Sequence, residues 1–287
     1  MTEPLRQIVA EELAIPVDPR VRDMAAAIAA QYGEAARAVL FYGSCLREKQ
    51  LDGLMLDFYL IVSSYRQAYG QKWLAAANRL VPPNVFHFAH DGLMAKYAVL
   101  SEAVFRRLNG PETLNVSVWA RFAQPSRIAW AADDAAIDRA VDAVARAVPT
   151  LLGAALPSAP QSDDPLDLWR HAFALTYSAE LRAERQGKIG SVVDSNPDRY
   201  RRFTTPGLAA AVPQERSWAR RRVEGKLLSV LRLAKASATF AGGAEYIAWK
   251  INRHAGTEIV LKPWQRRFPL LAAISLLPRL LRSGAVR

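Results

Sequence analysis

The sequence predicts an α+β fold in which a small mixed sheet is followed by helices. Two apolar runs, residues 38–42 and 54–62, have the length and composition of buried strands. Two further β-like runs, residues 84–89 and 94–100, flank His90-Asp91-Gly92, whose composition suits a hairpin turn. After residue 166 the regular segments have helical spacing. Strands early in the chain and helices later are typical of an α+β protein.

Helical spacing also marks the connections between these strands. Ser101 is a suitable N-cap for the helix that follows it, and Pro82-Pro83 would end the helix before it. The helix that begins at Asp133 has acids in its first turn, where the helix macrodipole favours them. The predicted helices cover residues 21–38, 65–80, 101–108, 133–148, 166–186 and most of the chain from 217 onward.

A change of composition predicts the main domain boundary at residues 156–165, which hold three prolines, two serines and two aspartates. We therefore predict a sheet domain over residues 1–155 and a helical domain over residues 156–240 that completes the functional site. Residues 241–287 would form a separate, basic C-terminal segment.

The formal net charge of +11 is concentrated at the C-terminal end. Residues 213–287 contain 15 Lys or Arg and 4 Asp or Glu, whereas residues 1–212 contain 23 of each kind. Such an end favours an anionic partner, and nucleic acid and anionic lipid both qualify. The single cysteine, Cys45, excludes a disulfide scaffold or a cysteine-based zinc cluster and suits a reducing cytoplasm.

Residues 262–287 combine six basic residues with no acid, and they predict an amphipathic helix. Its apolar run is interrupted by Pro278 and is too short to cross a bilayer of ~30 Å. The pattern is typical of a helix that lies in the membrane interface, and the alternative is a leucine face docked on the protein's own core. The face consists of Leu270, Leu271, Ile274, Leu277, Leu280 and Leu281.

The stretch with the clearest chemistry is Gly43-Ser44 with the acid Asp57 on the next strand. Gly43 removes a side chain where the backbone has to come close to another group, and Ser44 can cap a helix whose N–H groups face an anion. A lone carboxylate is costly to bury, so Asp57 is expected to face a cleft or a metal. The pattern resembles the core signature of nucleotidyltransferases, which bind triphosphate at Gly-Ser and Mg²⁺ on strand carboxylates. The usual second strand acid is replaced by Tyr59.

Five motifs, in order, resemble the mitochondrial-type phosphatidate cytidylyltransferases, the translocator assembly and maintenance proteins. That family shows Y-G-S, I/L-D-F, I-K-Y-G-V-I, A-G-R and L-S-Y-S-G-D-F-R. The matching residues here are Tyr42-Gly43-Ser44, Leu56-Asp57-Phe58, residues 95–100, Ala120-Arg121-Phe122 and residues 175–182. The chain departs from the family at Ala120 and at Ala179-Glu180, and it has no match from about Ala209 onward. The first residues do not resemble a transit peptide, which favours a bacterial relative.

The resemblance implies transfer of a cytidylyl group from CTP to phosphatidic acid, giving CDP-diacylglycerol and pyrophosphate, with Mg²⁺ as cofactor. It implies a nucleotidyltransferase sheet domain, a winged-helix-like helical domain and an amphipathic C-terminal helix. The expected partners are CTP, phosphatidic acid and, through the C-terminal segment, an anionic membrane surface, with no nucleic acid. The protein would be cytoplasmic and peripheral on the inner face of a bacterial cell membrane.

The resemblance also assigns roles to single residues. Asp57 would hold Mg²⁺. A second carboxylate ligand, if the site has one, has to come from outside the strand motif, and we predict Glu180 for it. On a continuous helix Glu180 and Arg182 would point ~200° apart, so either the helix breaks there or only one of them serves. Tyr42 would stack on cytosine or simply pack. The other expected catalytic residues are Lys96, Arg121 and Arg182, and the expected contacts to CTP or its phosphates are Tyr42, Gly43, Ser44 and Lys188.

Two further hypotheses stay open at this point. The first is a nucleotidyltransferase that acts on nucleic acid or on a protein, whose basic end would bind phosphodiesters with a steep salt dependence. The second is a non-catalytic, membrane-binding relative, which the missing second strand acid allows.

Overall fold

The computed structural model describes residues 2–48, 51–113, 115–180 and 189–239, together with Lys262. The strands are β1 Ala36–Tyr42, β2 Met55–Val62, β3 Asn84–His90, β4 Leu93–Ser101 and β5 Ser126–Ala131. They form a five-stranded sheet in the order β3-β4-β2-β1-β5. Strands β2 and β4 are parallel and the other neighbours are antiparallel, so the sheet is mixed, as predicted.

Helices connect these strands and make up the regular structure after β5 in the described residues. The helices before β5 are α1 Glu3–Leu13, α2 Pro19–Ala30, α3 Ser44–Glu48, α4 Tyr65–Ala68, α5 Lys72–Leu80, α6 Glu102–Leu108 and α7 Ser117–Phe122. Those after β5 are α8 Asp134–Val144, α9 Ala147–Ala155, α10 Pro165–Ala179, α11 Ile189–Asp194, α12 Pro197–Ala210 and α13 Trp218–Thr239. The predicted α+β class is therefore confirmed.

Several local predictions are also confirmed. The hairpin joins β3 to β4 through Asp91 and Gly92, both of which have positive φ angles. Ser101 caps α6, because its hydroxyl accepts a hydrogen bond from the Val104 N–H at 3.4 Å. The predicted C-terminal amphipathic helix lies outside the described residues.

Other predictions are wrong in their extent. The helix expected over residues 21–38 ends at Ala30, because the chain turns at Gly33, with φ +50°, and enters β1. The helix expected over residues 65–80 is divided into α4 and α5, since Tyr69 has an extended backbone. The helix expected over residues 133–148 ends at Val144, and α9 begins three residues later. Strand β5 was not predicted at all.

The sheet separates two layers of the hydrophobic core. On one face, Tyr59 and Ile61 pack with buried residues of α7, α9, α10 and α12, and we call this the helical face. On the opposite face, Phe58 and Leu60 pack with buried residues of α2. Successive residues of β2 thus alternate between the two layers, as the pleat of a strand requires.

Helices that follow the predicted domain boundary belong to the same core as the sheet. Residues 159–164 are exposed, as expected of a connection between domains. Leu151, before this connection, and Trp169, after it, nevertheless lie in one buried cluster with Tyr59. The later helices therefore pack directly on the helical face, where they can contribute side chains to a site on the sheet.

By its length and composition alone, the stretch Asp134–Ser158 could cross a bilayer. However, 72% of its most apolar window is buried inside the protein. We therefore assign it to the core of the described structure.

Candidate active site

A row of polar side chains runs across the helical face of the sheet. Strand register pairs Ser126 with Tyr42, Tyr42 with Asp57, Asp57 with Lys96, and Lys96 with His87. Residues directly opposite one another in neighbouring strands project from the same face. The expected site residues Tyr42, Asp57 and Lys96 are thus adjacent.

The Gly43 turn approaches Asp57 so closely that a side chain would not fit. Gly43 has a φ of +96°, and a Cβ built on it would lie 2.9 Å from Asp57 Oδ2. Only glycine combines this backbone conformation with such a short contact. Because α3 begins at Ser44, the turn places the start of this helix beside the carboxylate.

Asp57 forms an ion pair with Lys96, whose Nζ lies 3.0 Å from Oδ1. This oxygen is shielded from solvent and accepts no hydrogen bond from the described residues. Lys96 Nζ and Asp57 Oδ1 are close enough for an ion pair, but their relative orientation does not meet the geometry of a hydrogen bond. The oxygen has the character of a cation ligand, and a hard cation such as Mg²⁺ takes one or two carboxylates together with substrate oxygens. Asp57 therefore fits the role of one protein ligand.

Arg121 and Glu180 form a second ion pair, with Nη1 3.3 Å from Oε1. The same Nη1 donates hydrogen bonds to the backbone and side-chain oxygens of Ser117, one turn earlier in α7. The Glu180 side chain is only 7% exposed, and its Oε1 faces the arginine. Burial lowers the pKa of Arg121, but Glu180 and the hydroxyl of Tyr59 outweigh it and raise that pKa above its ordinary value.

Helix α10 ends at the residue before Glu180, which has an extended backbone with φ −114° and ψ 153°. The alternative in which the helix breaks at this acid is therefore the correct one. Arg182 and Lys188 lie outside the described residues. No group of three or more His, Cys, Asp and Glu that could hold a metal ion occurs in the described part of the chain.

Tyr42 lies between the two ion pairs. Its ring packs on Tyr59 and Phe122, with centroid distances of 5.3 and 5.9 Å. Burial raises the pKa of Tyr42, and the nearby charge of Asp57 raises it further, whereas Arg121 lowers it. The ring thus packs against the protein, and the hydroxyl stays protonated between a carboxylate and a guanidinium.

Sequence reasoning missed Arg232, which reaches this region from α13. Its Nε donates to Pro82 O at 2.9 Å, and its Nη1 donates to Asn115 Oδ1 at 3.4 Å. Lys235, one turn later, donates to the carbonyl oxygens of Val81 and Pro83. The spacing of Arg232 and Lys235 on one side of a helix was visible in the sequence, but nothing in it indicated which strand that side would meet.

A surface cavity of about 160 Å³ lies between α6 and α8, with Glu102 and Arg139 among its lining residues. None of the expected site residues lines it, so it is not part of the candidate site.

Comparisons with known proteins leave the function to be argued from the site itself. No family model matches the chain, and no curated protein matches it. Among solved structures it is similar to a nucleotidyltransferase-like protein from Exiguobacterium sibiricum, at 14% sequence identity and a TM-score of 0.27. That similarity covers 92% of this chain and 90% of the other.

We expect Gly43→Ala to destabilise the protein more than Gly92→Ala. Both glycines have positive φ, but among the described residues a Cβ at Gly92 would meet no atom within 4 Å, whereas one at Gly43 would collide with Asp57. The shared backbone strain is ~1–2 kcal/mol, and the collision should add at least ~1 kcal/mol for Gly43. Urea unfolding followed by circular dichroism measures both. Equal losses for the two variants would mean that the contact with Asp57 is not tight.

Proposed function

We propose that this protein is a nucleotidyltransferase that uses the Gly43 turn, Asp57 and the adjacent cations. The observation that carries the proposal is the close approach of Gly43 to the Asp57 carboxylate, with Lys96 3.0 Å from that carboxylate. A glycine turn leaves backbone N–H groups accessible to phosphate oxygens, and a strand carboxylate beside it suits a phosphate-bound cation. Phosphoryl and nucleotidyl transfers depend mainly on such positioning and charge neutralisation.

In this mechanism Asp57 would hold Mg²⁺ together with phosphate oxygens of the nucleotide. The cation would neutralise negative charge on the nucleotide and its leaving group. Lys96 and Arg121 would add fixed positive charge on either side of the Tyr42 hydroxyl. Because Ser117 and Glu180 hold the Arg121 guanidinium, its donors need no reorganisation when charge develops.

More finely, we propose that the nucleotide is CTP and the acceptor is phosphatidic acid. A phosphate oxygen of the acceptor would attack the α-phosphorus of CTP, and the bond to the β-phosphate oxygen would break to release pyrophosphate. The ordered motifs around Tyr42, Asp57, Lys96, Arg121 and Glu180 support this choice through their resemblance to phosphatidate cytidylyltransferases. The acceptor phosphate is already ionised at neutral pH, so the step needs no general base.

An apolar stripe on α13 supports a lipid acceptor. Its residues follow one another at helical spacing, and their exposed fractions range from 43% to 70%. Basic side chains, including exposed Arg222 and Lys226, lie beside it. An apolar stripe flanked by cations suits an anionic lipid surface, whereas binding to phosphodiesters requires only the cations. The stripe consists of Val223, Leu227, Val230 and Leu231.

The competing function is nucleotidyl transfer to nucleic acid or protein. The basic C-terminal quarter favours it as much as it favours lipid. Binding to nucleic acid would weaken steeply with salt, and transfer to it would not need lipid. The acceptor that becomes labelled distinguishes the two functions.

The direct test incubates the purified full chain with labelled CTP, Mg²⁺ and detergent-dispersed phosphatidic acid, and separates CDP-diacylglycerol by chromatography. We expect Asp57→Asn to lower the rate at least ~10²-fold, as when a group that stabilises transition-state charge is removed. The matched control is Asp91→Asn, which changes a carboxylate that is 81% exposed at the hairpin turn and should leave the rate unchanged. Near-normal activity of Asp57→Asn at saturating Mg²⁺ would refute the role of this carboxylate. Label appearing in nucleic acid or protein instead would select the competing function.

We expect Leu227→Glu to weaken binding to vesicles that contain phosphatidic acid by at least ~10-fold, because it puts a negative charge in place of apolar area. The control Ile137→Glu changes a residue that is 37% exposed on α8 and should bind as the unmodified protein does. Co-sedimentation with vesicles of phosphatidylcholine, with and without phosphatidic acid, measures both. Equal binding by the two variants would mean that the stripe does not touch the membrane.

A further inference from the structure

Helix α13 packs against the end of α10 at a glycine. A Cβ built on Gly225 would lie 2.1 Å from the carbonyl oxygen of Ala179, the last residue of α10. The two backbones can approach this closely only because Gly225 has no side chain. This crossing brings α13 beside Glu180, which follows Ala179, and directs the next two turns of α13 towards β3.

Arg232 is attached to the same short segment that holds Arg121. Its Nη1 donates to Asn115 Oδ1 at 3.4 Å, and that oxygen also accepts a hydrogen bond from the Ser117 N–H at 2.9 Å. Ser117 in turn accepts the hydrogen bonds from Arg121. Two guanidinium groups from helices far apart in sequence are therefore anchored within three residues of chain.

Within the described residues, this pair of arginines carries more positive charge than its surroundings balance. Arg232 donates to two neutral oxygens, and within the described residues Glu180 is the carboxylate that acts on both arginines. Burial lowers the pKa of Arg232, and the charge of Arg121 lowers it further. Burial and then Arg232 lower the pKa of Lys235 to about 7. An arginine does not lose its proton at any ordinary pH, so this excess charge remains and favours an incoming anion.

We infer that Arg121 and Arg232 together form a phosphate-binding position at the candidate active site. Two planar guanidinium groups can offer paired N–H donors to the oxygens of a phosphate group, which a lysine cannot do. The bound phosphate would belong to a substrate of the proposed function, and only the identity of that substrate rests on the proposed function. The phosphate belongs either to the nucleotide's triphosphate or to the phosphomonoester of the acceptor.

The test measures direct binding to the full-length protein without any turnover. Isothermal titration with inorganic pyrophosphate probes the triphosphate arm, and titration with short-chain, dispersed phosphatidic acid probes the acceptor arm. The variants are Arg232→Met, which removes the charge and keeps most of the length, and Arg22→Met as the control, which changes an exposed arginine of α2 on the opposite face of the sheet. We expect Arg232→Met to raise Kd ~10- to 100-fold in one arm, the range for losing a hydrogen bond to a charged group. Arg22→Met should leave both Kd values unchanged.

The arm that responds identifies the source of the phosphate. Unchanged affinity of a folded Arg232→Met protein in both arms would overturn the inference. If that variant does not fold, Arg232→Lys replaces it in the test, because lysine retains the charge but lacks the paired donors. We then expect a weaker affinity in one arm, and unchanged affinity in both arms would overturn the inference. Binding of pyrophosphate that depends on Arg232 would still support the inference in a protein that transfers no cytidylyl group, so the two proposals fail independently.

Discussion

The carboxylate of Asp57 lies against the backbone of Gly43, and the other parts of the site are arranged around this contact. It requires a glycine with a positive φ at the end of β1, and it requires that β1 and β2 pair in the register that sets Tyr42 opposite Asp57. A shift of this register by one residue would turn Asp57 to the opposite face of the sheet. The register of the parallel pair β2 and β4 in turn places Lys96 beside Asp57. Local backbone geometry and strand pairing therefore fix the acid, its cation and the turn together.

The helices contribute the second half of the site at some cost in stability. Burying Glu180 and partly burying Arg121 removes hydration from both charges, and a buried ion pair seldom repays that cost in full. Arg232 and Lys235 add charges whose hydrogen bonds go to neutral oxygens. The core beneath them, which joins Tyr59 to Trp169 and Leu151, offsets this cost by burying apolar surface. In the described residues the site holds excess positive charge in a hydrogen-bonded frame, which is suited to bind an anion without rearranging.

The sequence predicted the parts of the fold and site that depend on local signals. The approach of Gly43 to Asp57 could be predicted because a glycine that ends an apolar run and an acid within an apolar strand are local patterns. Ser44, expected to cap α3, is instead its first residue. Strand β5 escaped prediction because its polar and apolar residues, from Ser126 to Ala131, do not alternate clearly over six residues. Arg232 escaped because its role arises from packing between distant segments, and helical spacing shows which residues share a side but not what that side meets.

A crystal structure with Mg²⁺ and a CTP analogue that cannot be cleaved at the α-phosphorus would show directly whether the Gly43 turn and Asp57 bind the nucleotide and its cation. We expect the triphosphate at the Gly43 turn, an Asp57 oxygen ~2.1 Å from the metal, and a phosphate within hydrogen-bond distance of Lys96 or Arg121. An ordered nucleotide bound elsewhere, with Asp57 still paired only with Lys96, would contradict this expectation.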